Sequence, residues 1–120
     1  ERQIWGYKMA NTFKSVTSGS IGTGLTDVYT CPASTTAIIL GASISNTHAN
    51  AIGGSIKLAK SGSGLGADDV FVVKAAPLPV GSTVEVMSGN KVILQDADIL
   101  QFQSDTAGSM DTIVSLLEIT

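Results

Sequence analysis

Thr36-Ala37-Ile38-Ile39-Leu40-Gly41-Ala42-Ser43-Ile44-Ser45 is the stretch whose reading decides the fold class. Ile38, Leu40, Ala42 and Ile44 recur with a period of two, which places them on one face of an extended strand. That face is expected to be core, and this is the strongest strand signal in the chain. On its N-terminal side Thr26 to Cys31 reads as a strand that stops at Pro32, because proline lacks the ladder donor, and Ala33-Ser34-Thr35 turns the chain. On its C-terminal side Asn46 to Asn50 forms a polar corner, after which Ile52 to Lys60 resumes alternation with Ile56 and Leu58 inward and Lys57 outward.

The same grammar continues to both ends. Phe13 to Thr17 is a weak first strand followed by the Gly/Ser run Ser18 to Gly24, and Ser61 to Gly66 reads as a flexible loop. Asp68 to Ala75 alternates poorly, since Val70, Phe71, Val72 and Val73 are all apolar, which implies burial on both faces, one of them against another chain. Thr83 to Met87 and Lys91 to Gln95 are joined by Ser88-Gly89-Asn90, a hairpin-type turn whose Gly and Asn tolerate positive φ. Asp98 to Gln103 and Met110 to Thr120 complete the set. In the last strand Ile113, Leu117 and Ile119 share one face, Val114 and Leu116 the other. No segment sustains apolar residues at helical spacing. The expectation is an all-β, antiparallel β-sandwich, jelly-roll-like, of about eight short strands: an N-terminal arm over 1-11 and a β-sandwich domain over 12-120.

Composition narrows what such a domain does. Of 120 residues 43% are apolar and only 14% charged, with 13 glycines and few aromatics. That surface is greasy for a free monomer and suits packing against other subunits. Disorder, which needs low hydrophobicity and high charge, is excluded. Of the formal charge of -3, the first fourteen residues carry three cations against one anion, so the body is acidic and the arm basic. No Lys/Arg cluster is present to displace phosphate counterions, which argues against direct nucleic-acid binding. No apolar run approaches the roughly 20 residues of a membrane helix, and the start lacks the apolar region of a signal peptide.

The Glu1 to Lys8 segment, with Ile4, Trp5 and Tyr7, differs from everything after it. Met9-Ala10-Asn11-Thr12 looks like an initiator methionine with small following residues. The segment is therefore either a tag or upstream start, or a native arm whose aromatic pair anchors on a neighbouring subunit.

Groups that could carry chemistry are few. His48 is the only histidine and sits in the polar corner without a nucleophile elbow, so it reads as a turn residue. Cys31, the only cysteine, precludes an intrachain disulfide and reads as a small buried side chain. Asp68, Asp69, Asp96, Asp98, Asp105 and Asp111 match no calcium loop and read as solvated turn aspartates. The glycine runs at Gly19 to Gly24 and Gly62 to Gly66 precede no helix and no Lys-Ser/Thr pair, so they are loops rather than phosphate cradles. No catalytic, cofactor-binding or metal-binding residue is assigned and no cofactor is expected. The residues expected to form a subunit interface are Trp5, Tyr7, Val70, Phe71, Val72, Val73, Val114 and Leu116.

The chain carries, in order, Val28-Tyr29-Thr30-Cys31-Pro32-Ala33-Ser34-Thr35-Thr36, Ile44-Ser45-Asn46-Thr47, Pro79-Val80-Gly81-Ser82-Thr83, Gly89-Asn90-Lys91-Val92-Ile93-Leu94 leading to Asp96-Ala97-Asp98, and the ending Leu117-Glu118-Ile119-Thr120. In this order of segments it resembles small virion proteins of tailed bacteriophages, particularly marine phages and cyanophages. The likeness covers residues 9 to 120. It implies a structural protein displayed in many copies on a phage particle, made in the host cytoplasm, with major capsid or tail subunits and its own copies as partners. The expected role is capsid decoration or cement, with a trimer as the expected oligomer. A tail-, neck- or fibre-associated carbohydrate-binding module is the alternative.

Overall fold

The computed structural model describes residues 11–60, 69–86 and 91–120. Short runs of β-branched and apolar residues, punctuated by Gly, Pro, Asn and Ser, form nine strands: β1 (Asn11–Ile21), β2 (Thr26–Thr30), β3 (Thr36–Asn46), β4 (Ile52–Ala59), β5 (Val70–Leu78), β6 (Thr83–Glu85), β7 (Val92–Leu94), β8 (Ile99–Ser104) and β9 (Met110–Ile119). All pairings among the described residues are antiparallel. One sheet runs β1-β9-β3-β6, with β7 also on β3, and the other runs β2-β8-β4-β5. Most successive strands alternate between sheets, and β6 and β7 share one edge position. The arrangement is a β-sandwich with the eight strand positions of a jelly roll.

β1 is far longer than its sequence suggests. The Ser18 to Ile21 part of the Gly/Ser run is strand, because β9 offers a ladder reaching from Ile119 opposite Asn11 to Met110 opposite Ile21. The register slips between Ser18 and Ile21. There Ser20 takes a positive φ of 55°, and its amide donates to Asp111 Oδ1 at 2.9 Å.

The expectation for β3 is half right, and the reason is a bulge. Ala42 and Ile44 are buried with Ala37 and Ile39, whereas Ile38 and Leu40 are only half-buried and lie outside the core cluster. The register slips between Ile39 and Gly41, where Ser115 of β9 faces Gly41 and Val114 faces Ala42. One inserted residue exchanges the faces of everything before it. The bulge leaves the Ala42 amide free for Glu85 Oε2, 2.9 Å away, while the Ala42 carbonyl accepts the Val86 amide at 2.8 Å.

The expected hairpin between the two following segments is also not what forms. β6 pairs with Ser43 to Ser45 and β7 with Ala37 to Ile39. They flank the bulge as two pieces of one interrupted edge strand, each bonded to β3. The turn residues proposed between them, 88 to 90, lie outside the described residues.

The core between the sheets is aliphatic, with Phe102 its largest fully buried side chain and Ile39, Ile44, Ile56, Leu78, Leu94, Leu100, Met110, Val114 and Leu116 around it. Fully burying each such side chain is worth about 1.5–3 kcal/mol. The sheets approach so closely at Gly54 that a Cβ there would stand 2.8 Å from Ile44 Cδ1 and 2.9 Å from Met110 Sδ.

Candidate assembly surface

β9 lies between β1 and β3, and its alternation divides the fold. Met110, Thr112, Val114, Leu116 and Glu118 point inward and are buried, while Ile113 is exposed and Leu117 and Ile119 half-buried on the outside. Register then aligns large apolar side chains across four strands. Leu117 faces Phe13 on one side and Ile38 on the other, and Ile38 faces Ile93 of β7. Directly opposite residues on one face have Cβ atoms about 4.5–5.5 Å apart, so Phe13, Leu117, Ile38 and Ile93 make one continuous ridge. Phe13 is 74% exposed and Ile93 55%.

Two residues along the strands, Ser15, Ser115 and Gly41 form a row of small side chains. The next row is Thr17, Ile113 and Ser43, ending at Glu85. Ile113 is 51% exposed and borders a shallow hollow of about 410 Å³, lined also by Thr17, Gly19, Ser45 and Asp111. The face therefore runs from a ridge through a valley to a lower row in which Ile113 is the one large apolar side chain. Charge appears only at its margins. The Asp111 carboxylate is turned to the Ser20 amide and the Glu85 carboxylate to the Ala42 amide.

The strand that carries Phe13 is anchored from beneath. Lys14 Nζ lies 3.1 Å from Glu118 Oε1, and the Tyr29 hydroxyl, from the opposite sheet, donates to Glu118 Oε2 at 2.6 Å. The Tyr29 hydrogen bond, with Lys14 adding to it, holds the Glu118 carboxyl below its usual range against the opposing effect of burial. Burial, and then the Glu118 carboxylate, push the Tyr29 phenol well above its usual value. This link ties β2, β9 and β1 together at the ridge.

The expected interface residues do not converge on one surface. Val114 and Leu116 are fully buried in the core. They cannot meet another subunit, and the outer face of β9 belongs to Ile113, Leu117 and Ile119 instead. On β5, Val70 and Phe71 are exposed, but Val72 and Val73 pack against the core. The run is thus buried on one side only, its local irregularity coming from register shifts against β4. β5 is an edge of the other sheet. There Phe71 has Lys74 Nζ 5.0 Å and Lys57 Nζ 5.9 Å from its ring centre. Trp5 and Tyr7 lie outside the described residues. Periodicity places Ile38 in the core because it cannot show the bulge in β3, whereas Phe13, exposed among Ser and Thr, is a local signal of the outer face.

The remaining singled-out groups serve the fold. His48 Nδ1 accepts the Asn50 amide at 3.1 Å, and its own amide donates to Asn46 Oδ1 at 2.7 Å, closing the corner. Cys31 is buried, its thiol donating to Thr35 O at 3.2 Å, and burial raises its pKa. Asp98 is not a solvated turn residue. It is buried, and its carboxylate holds Lys60 Nζ at 2.6 Å and the Gln95 amide at 2.9 Å. Among the described residues no three His, Cys, Asp or Glu side chains gather as a metal site.

No family model matches the chain, and no curated protein matches it. Solved structures do. A subunit of the disulfide-linked pili that form Bacillus endospore appendages superposes with a TM-score of 0.51 at 9% identity, covering 100% of this chain and 96% of that one. A chain from infectious bursal disease virus, Gt strain, reaches a TM-score of 0.42 at 9% identity, covering 93% of this chain and 33% of that one. At these identities the first likeness is one of fold, and the second carries no argument. The chain shares its overall fold with that pilus chain.

Proposed function

We propose that this protein is a non-enzymatic structural subunit of a tailed-phage virion, a decoration or cement protein that binds coat subunits and its own copies on the particle surface. The observation that carries this reading is the uncharged, ridged outer face built on β1, β9, β3 and β7. A continuous row of large, solvent-reaching apolar side chains beside uncharged small ones marks a contact surface on a small domain. The resemblance of residues 9 to 120 to phage virion proteins supplies the setting, and the fold shared with a pilus subunit agrees with a packing role. Bonding between subunits would be non-covalent at the body of the domain, because its only cysteine is 1% exposed.

The test is binding to particles. Purified protein is mixed with phage heads that lack it and sedimented; saturable co-sedimentation at a fixed copy number per head supports the role, and no binding to heads or tails sinks it. Phe71, exposed between two lysines, favours a second reading as a carbohydrate-binding module. Sugars stacking there would give hits on a glycan array that Phe71→Ala abolishes.

A further inference from the structure

We infer that the outer face of the β1-β9-β3 sheet pairs with the same face of a second copy about a two-fold axis that runs across the strands along the row Ser15, Ser115 and Gly41. The inference rests on the reading of the protein as a self-assembling subunit and names the contact.

Relief is the first argument. Rows two residues apart along a strand are separated by about 6.8 Å. A two-fold axis lying along the small-residue valley carries the ridge of one copy onto the third row of the other. Phe13 then sits above Thr17 of the second copy, beside the hollow that Ile113 borders, and Leu117 meets Ile113 of the second copy. Phe13 and Ile38 thus fall on the smaller Thr17 and Ser43 of the second copy, in the manner of face-packed sheets, while Leu117 against Ile113 is an apolar contact between two large side chains near the middle of the face. Such a contact is isologous and closes on itself.

Area is the second. Four strands about 4.8 Å apart and about nine residues long give a face near 20 by 27 Å, roughly 500 Å² in flat projection and more with its relief. Two such faces exceed the roughly 1,000 Å² at which an interface becomes specific. Charge is the third. Each copy carries -3, so copies repel where their charges meet. Across β1, β9 and β3 the three rows hold none, and the bordering carboxylates of Asp111 and Glu85 are folded onto backbone amides, Glu85 lying against Gly41 at the edge of the middle row.

The test uses the full chain and equilibrium sedimentation. The native protein is expected at twice its 12.3 kDa chain mass. Phe13→Lys or Thr17→Asp alone places an unpaired charge in the contact and is expected to weaken association by at least about 30-fold. The two changes together restore it, because position 13 of each copy faces position 17 of the other. Far-UV circular dichroism confirms that each variant is folded, both sites being exposed. A monomer at every concentration overturns the pairing, as does a trimer, an unaffected Phe13→Lys, or a double variant that stays apart. A monomer that still binds phage heads overturns the pairing while leaving the virion role intact. A dimer restored by the double variant but blind to particles supports the pairing and sinks the virion role.

Discussion

Replacing Tyr29 by Phe removes one hydroxyl from the link that joins the two sheets, and its cost follows from the surroundings. Tyr29 is 8% exposed and Glu118 6%, so water does not readily replace the lost donor. The bond is short, 2.6 Å, and its acceptor is charged. Hydrogen bonds of that kind contribute about 1.5–3 kcal/mol. Lys14 remains 3.1 Å from the other oxygen, but its side chain is 47% exposed, and such a pair adds at most about 1 kcal/mol. Tyr29→Phe is therefore expected to cost about 2 kcal/mol, a fall in Tm of roughly 6–12 °C for a domain of this size.

Proton linkage supplies a second signature of the same bond. The folded value of Glu118 is lowered, so its contribution is fully present above the ordinary value of 4.5 and is lost as pH falls through the lowered one. The folded value of Tyr29 is raised, so its contribution is present below 10.0 and declines as pH rises beyond it. Stability from this pair should be level between those limits. In Tyr29→Phe the alkaline decline attributable to the phenol disappears and the acid decline becomes shallower, since the chief cause of the Glu118 shift is gone. Urea unfolding followed by circular dichroism across the acid and alkaline ranges measures both. A neutral-pH loss below about 0.5 kcal/mol, or an acid limb identical to that of the native protein, would refute the account.

Gly54→Ala should destabilise by about 1–3 kcal/mol through overpacking, because the new methyl would press on Ile44, Met110 and Leu78; an unchanged urea midpoint would contradict the sheet spacing. Leu116→Ala should cost about 2–5 kcal/mol, whereas Ile113→Ala, measured where the chain is monomeric, should cost less than about 1 kcal/mol; the reverse order would mean that the faces of β9 are exchanged. Ala97 holds a φ of 68° in the turn before β8. Ala97→Gly relieves that strain and should raise stability by up to about 1 kcal/mol, visible as a higher Tm.

Fold class was legible because strand periodicity and turn chemistry are local. The strand ending at Cys31 before Pro32, the corner at Asn46 to Asn50 and the alternation of Met110 to Ile119 all declare themselves within a few residues. Even the two faces of the last strand separate correctly by periodicity, Ile113 with Leu117 on one and Val114 with Leu116 on the other. Periodicity cannot say which face is inside, and the interface expectation for Val114 and Leu116 chose the wrong one. Both faces are apolar, and only the position of the second sheet decides between them.

By itself, then, the chain's order of residues determines an antiparallel all-β sandwich with few charged residues. Tertiary structure alone decides the length of β1, whose Ser/Gly half is strand only because β9 is there to bond it. It decides the division of β6 and β7 at the β3 bulge. It decides that Phe13, Leu117, Ile38 and Ile93, separated by tens of residues in sequence, form one ridge. The physical reason is common to all three: register between strands is a long-range quantity, and a bulge of one residue reverses the faces that local alternation implies.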